Sequence, residues 1–205
     1  MINSGELSGV VLSREQTGGR FLRIRLFSAE LGLSGALFPI SSQKKINPPA
    51  PDFLDEVECL FNNKKSENSI PFIREFETIE SYRDLATYPL LFMTASEIAR
   101  FYLNNGSHLL DPGPQFKLLR SSLDSFRRAR VPNVVLLKVY YCFARNEGLP
   151  VRESWLFGLP KPLYNDVVTI LGQPVDQANI EQSKLNDIME SLKIWMNGET
   201  ELHHR

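Results

Sequence analysis

The chain has 205 residues, 42% of them hydrophobic and 23% charged, which excludes a disordered segment and leaves room for one large or two small domains. Lys and Arg number 23 against 24 Asp and Glu, a net charge of −1, so the molecule as a whole does not attract nucleic acid and any such binding has to come from a local patch. Two isolated cysteines, Cys59 and Cys142, exclude a Cys-x-x-Cys zinc site and suit a reducing compartment.

The first stretch, Met1 to Glu6, has neither a basic nor an apolar run, so no signal peptide is expected. Gly9 to Arg14 reads as a strand, and the paired glycines of Glu15 to Gly19 let the chain reverse. The run from Arg20 to Phe27 alternates with period two. Leu22, Ile24 and Leu26 fall on one face and are expected in the core. Phe21, Arg23, Arg25 and Phe27 fall on the other. A row of rings and guanidinium groups is suited to single-stranded nucleic acid, because rings stack on bases and cations hold phosphates. The alternative is that both Phe side chains pack under another part of the chain and the two Arg are solvated.

Leu33 to Ile40 is a third strand. Ser41 to Pro51, with three prolines and the adjacent Lys44 and Lys45, is an exposed connector. Asp55 to Phe61 is a fourth strand, Asn62 to Ser69 a polar loop and Ile70 to Glu77 a fifth strand. Five short strands with a long connection between the third and fourth suit a small Greek-key barrel of OB type over residues 1–80.

From residue 81 the pattern turns helical. Leu85, Leu90, Leu91, Ile98, Phe101 and Tyr102 repeat with a period near 3.6, up to a stop at Asn104 to Gly106. A helix from Gln115 to about Ala129 carries Phe116, Leu119, Leu123 and Phe126 on its buried stripe. Asn133 to Glu147 is apolar nearly all round, which places it at the centre of a bundle. Its apolar run from Val134 to Phe143 contains Lys138 and is too short to span a membrane. Pro150 to Pro162 is irregular, and Trp155 is expected to anchor it. Leu163 to Leu171 and Ile180 to Met196 are further helices, with Asp176 a candidate cap for the latter. The fold class expected is therefore α+β, a five-stranded OB-type barrel followed by an all-α domain over residues 81–205.

Neither part is basic: residues 1–80 hold 9 basic against 11 acidic side chains, and residues 81–205 hold 14 against 13. The local excess is Lys117 to Arg130, where Lys117, Arg120, Arg127, Arg128 and Arg130 face one acid, Asp124. No phosphate-binding Gly-rich loop and no nucleophile elbow is present, and no catalytic constellation is found. His203 and His204 read as tail residues, and His108 as a loop residue.

The order of parts resembles the RecO family of bacterial recombination mediators. Gly9-Val10-Val11-Leu12, Arg20 to Phe27 and Gly32 are similar to the family's first hairpin, and Ser41 to Lys45 to its basic loop. Glu77 to Leu103 looks like its entry into the helical domain. Leu118 to Pro150, with Phe143 and Gly148-Leu149-Pro150, looks like its central helix pair. Many members carry a cysteine zinc site after the position of Pro150. Arg152 to Trp155 has no cysteine, so no metal is expected, and no cofactor.

The resemblance implies a non-enzymatic, cytoplasmic, nucleoid-associated accessory of DNA repair. It would bind single-stranded DNA, anneal strands and, with RecR, help load the recombinase on strands coated by single-strand-binding protein (SSB). The residues then expected to touch DNA are Arg14, Arg20, Phe21, Arg23, Arg25, Phe27, Lys44 and Lys45. Lys117, Arg120, Arg127 and Arg128 would meet the acidic C-terminal tail of SSB, or else form a plainly solvated helix face. The competing expectation is a protein-only adaptor that keeps the RecR or SSB contact without significant DNA binding.

Overall fold

The structure, a computed structural model, describes residues 5–40, 49–62, 70–107, 109, 111–200 and 202. The fold is α+β, and the chain divides into two compact units. One holds residues up to Asp84 together with Gly106–Phe116, the other Leu85–Asn105 and Lys117–Arg205. The segment Gly106–Phe116, which lies among the helices in sequence, groups with the strands. The Leu33 N–H donates to the Gly106 carbonyl at 3.0 Å and ties it there.

The first unit is a five-stranded antiparallel sheet: β1 (Glu6–Thr17), β2 (Phe21–Ser28), β3 (Gly32–Pro39), β4 (Glu56–Phe61) and β5 (Ile73–Glu80). Spatial order is β3-β2-β1-β4-β5. β1 is long enough to serve two neighbours. Glu6 to Val10 pair with β4, and Val10 to Thr17 with β2, with a bulge between Val11 and Ser13. A bulge bends its strand and raises the local twist, so the two halves of β1 face different ways. At Gly9 the strands close tightly: an added Cβ would lie 3.0 Å from the Phe27 carbonyl oxygen. Beyond the ladders, one parallel bridge joins Leu37 of β3 to Phe72, and the Leu37 N–H donates to the Pro71 carbonyl at 2.9 Å.

The inner face is apolar, as the alternation predicts. Leu7, Val11, Ile24, Leu26, Ala36, Phe38, Val57, Cys59, Phe61 and Ile73 form one buried cluster, with Leu22 packed at its margin. Phe38 and Phe76 meet edge to face at 5.6 Å.

Pro51 to Asp55 closes onto the bulge. The Leu54 N–H donates to the Val11 carbonyl at 2.8 Å, and the Val11 N–H to the Asp55 carbonyl at 2.9 Å. These bonds hold Leu54 at φ 67°, a conformation that costs a non-glycine residue about 1–2 kcal/mol. The Asp55 carboxylate is fully buried and accepts from the Ser81 hydroxyl at 2.7 Å.

The second unit contains α1 (Pro89–Asn105), the later turns of α2 (Pro112–Phe126), α3 (Pro132–Asn146), α4 (Lys161–Gly172) and α5 (Gln182–Glu199). Pro132 starts α3, where its missing N–H costs nothing. Ten of the fifteen α3 residues are buried, so it is the central helix its composition predicts. Phe101 of α1 packs on Tyr140 and Phe143 at 4.7 and 4.8 Å. Lys138 keeps its charge on this apolar helix by donating to the carbonyls of Leu171 and Gln173, at the C-terminus of α4. Cations are favoured there by the orphan carbonyls and the helix dipole. Burial lowers the Lys138 pKa from the usual lysine value.

Pro150 to Pro162 contains short helical turns, Val151–Trp155 and Leu156–Gly158. Trp155 anchors them, its indole N–H donating to Ser191 at 3.1 Å, while Trp195 donates to Ser154 at 2.9 Å. Asp176 is not the cap of α5. The capping position is Glu181, and its side chain does not close the helix end. Among the described residues no helix is long and apolar enough to cross a membrane.

Candidate nucleic-acid interface

The site is built on the outer face of β2. Directly opposite residues of antiparallel strands share a face, so the register places Thr17, Phe21 and Pro39 together. Glu15, Arg23 and Leu37 form the next row, and Ser13, Arg25 and Gly35 the one after. Nothing lies within 4 Å of where a Gly35 Cβ would stand, so the surface beside Arg25 is open. Arg20 and Arg23 are exposed and Arg25 half-buried. Among the described residues none of the three is ion-paired, although Glu15 lies directly across from Arg23.

Phe21 is half-buried and meets the ring of Phe72 edge to face at 5.5 Å. Phe72 is 38% exposed, and its carbonyl accepts from the Asn62 N–H at 2.9 Å, beside the Leu37 bridge. The aromatic part of the face is thus a Phe21–Phe72 pair. Sequence reading missed Phe72. The signal was its alternation with the inward Ile73, hidden because the ring comes from a part of the chain 51 positions away from Phe21.

Two expected members do not belong to this face. Phe27 is fully buried, as are its neighbours Leu26 and Ser28. Both sides of the sheet are covered at this end. The Phe27 ring reaches the Gly32 turn, where Gly106 and Pro112 close the space, so it cannot stack on a base. Arg14 is held by Asp52 at 2.6 Å, and Arg83 contacts the same carboxylate at 3.4 Å. Arg14 therefore secures the Pro51 to Asp55 turn against β1. Lys44 and Lys45 lie outside the described residues, as do His108, His203 and His204.

In the helical unit Lys117, Arg120, Arg127 and Arg128 are all exposed, with Arg127 4.0 Å from Asp124. Leu119, Leu123 and Phe126 are buried as the stripe predicts. Burial disfavours the thiolate form of both cysteines. Burial, and then the Glu58 charge, push the Cys59 pKa up to about 12, and burial also raises that of Cys142.

Compared with family models and with curated proteins, the chain matches none.

Proposed function

We propose that the chain is a RecO-like DNA repair and recombination accessory protein. In this reading it binds single-stranded DNA, anneals strands and helps load the recombinase with RecR, without catalytic residues or a cofactor. The observation that carries the reading is the outer face of β2. Arg23 and Arg25 stand there, with Arg20 in the turn just before β2, all three without ion pairs among the described residues and close in sequence to Phe21 of the Phe21–Phe72 pair. Cations for the phosphates next to rings for the bases are what a single strand requires.

The strand order, with the bridge from Leu37 of β3 to Phe72 just before β5, supports reading the sheet as a small closed barrel of OB type. The exposed cations Lys117, Arg120, Arg127 and Arg128 are the proposed contact for the acidic tail of SSB. The proposed setting is the bacterial cytoplasm, at the nucleoid.

Fluorescence anisotropy with labelled oligothymidine tests the reading. Arg23→Ala with Arg25→Ala is expected to weaken binding about ten-fold or more at low salt, equally for all base sequences. Unchanged affinity would clear this face of the role.

One observation favours a protein-only adaptor instead: the rest of the outer face is acidic, with Glu6, Glu75 and Glu77 exposed and Glu58 half-buried. Under that reading RecR or SSB is captured equally before and after nuclease treatment, and free oligonucleotide does not bind. Capture that disappears with nuclease returns the role to DNA.

A further inference from the structure

The outer face of the sheet is unevenly charged: arginines gather on β2, with Glu15 across from Arg23, and acids gather on β4 and β5, with Arg74 beside Glu75. After its bulge β1 borders the arginine row. Before the bulge it pairs with β4, and there the outward side chains include several acids. Ser8 stands opposite Glu58, and Glu6 opposite Leu60. On the other side of β4, Glu58 faces Glu77 and Leu60 faces Glu75. The inner positions of these strands are Leu7, Val57, Cys59 and Phe61, so Glu6, Glu58, Glu75 and Glu77 all lie on the outer side. The directly opposite Glu58 and Glu77 are a like-charge pair, which destabilises a sheet. No basic side chain is paired with Glu6, Glu58 or Glu77 among the described residues, and Glu75 contacts its neighbour Arg74 at 3.1 Å.

Resting on the DNA-binding reading above, we infer that this acidic half is the specificity element of the site: it confines a single strand to the arginine half and limits the sheet to a short footprint. From Phe21 to Arg25 the row spans about 13 Å, at roughly 3.3 Å per residue. Folds of this type cover about 4–16 nucleotides, and a row of this length belongs at the low end, about four. A longer strand passing from the arginine row around the covered Val10–Phe27 end towards β4 runs its phosphates against four carboxylates. Such a strand leaves the sheet instead, and its free bases stay open to a complementary strand. The preferred ligand is then a short unpaired gap or a strand crossing the face at one point, rather than a long single strand lying along it.

Affinity measured against oligothymidines of 4, 6, 8, 12 and 16 nucleotides tests this. The intact protein is expected to reach its limit at about four to six nucleotides, with only the linear gain from extra registers beyond that. The variant Glu58→Gln, Glu75→Gln, Glu77→Gln relieves the like-charge pair and is expected to melt no lower than the parent. Its affinity should keep rising through 12 nucleotides. Glu58→Lys, Glu75→Lys, Glu77→Lys should in addition steepen the slope of log affinity on log salt by about 2 for long oligonucleotides. Parent affinity that climbs steadily to 16 nucleotides, or variants that keep the parent's limit, would overturn the footprint and leave DNA binding standing. No binding at any length would overturn both.

Discussion

Phe21 and Phe27 sit six positions apart on one strand face and have opposite fates. Phe27 is enclosed at the Gly32 turn, and Phe21 rests half-open against Phe72. Phe27→Ala is therefore expected to cost about 3–5 kcal/mol of stability in denaturant unfolding. Phe21→Ala should leave the fold largely intact and weaken oligonucleotide binding by about 1–3 kcal/mol in anisotropy titrations. The reverse pattern would place the aromatic contact elsewhere. Cys59 makes a second residue-level prediction. Its pKa is raised from 9.0 to about 12, so between those values the unfolded chain releases a proton that the folded chain keeps. The stabilisation from Cys59 is complete below pH 9 and is lost as pH climbs towards 12. Melting temperature should fall between pH 9 and 10.5, and Cys59→Ala should flatten that fall while lowering stability at pH 7. The buried Tyr102, whose pKa is also raised, leaves part of the slope in place.

The elements are held by a few backbone devices. The β2–β3 turn depends on Gly32, at φ 63°, where an added Cβ would lie 2.9 Å from the Gly106 carbonyl oxygen. Gly32→Ala meets both backbone strain and a backbone clash, and is expected to cost about 1–3 kcal/mol. The loss should show as lowered melting temperature, together with faster amide exchange at Leu33, whose N–H bonds to Gly106. The α3–α4 pair depends on Lys138. Lys138→Met keeps the apolar stem but leaves the Leu171 and Gln173 carbonyls without their donor, at a cost of about 1–3 kcal/mol. Amide exchange in the last turn of α4 should quicken; unchanged protection would mean that water serves those carbonyls equally well. By contrast, the contact of Arg83 with Asp55 at 3.4 Å adds little, because the arginine is largely exposed.

For the molecule as a whole, a net charge of −1 means that the proposed DNA binding has no long-range attraction to draw on. Three arginines holding three phosphates predict a slope of log affinity on log salt of about −2 for single strands. A slope near zero would remove the phosphate contacts from the account. A much steeper one would demand cations beyond Arg20, Arg23 and Arg25. The same near-neutrality makes local placement decisive, since the arginine row and the acids of β4 and β5 nearly cancel in the total.

Much of this was legible along the chain. The inward set Ile24 and Leu26, the helical stripe through Leu119, Leu123 and Phe126, and the central helix α3 follow from apolar side chains repeating at the period of their own element, and burial then has no other face to choose. The anchoring of Trp155 was also readable, since a lone indole in an irregular segment needs both cover and an acceptor. What periodicity could not reach is what another part of the chain does to a face. Alternation separates the two sides of β2 but carries no record that Gly106 and Pro112 come back over Phe27. Nor does it show that Asp52 takes Arg14, or that Phe72 arrives beside Phe21. Those are contacts between distant positions. They arise from how the bulged β1 bends and where the chain returns, so folding in three dimensions settled which ring and which cation stay open to solvent.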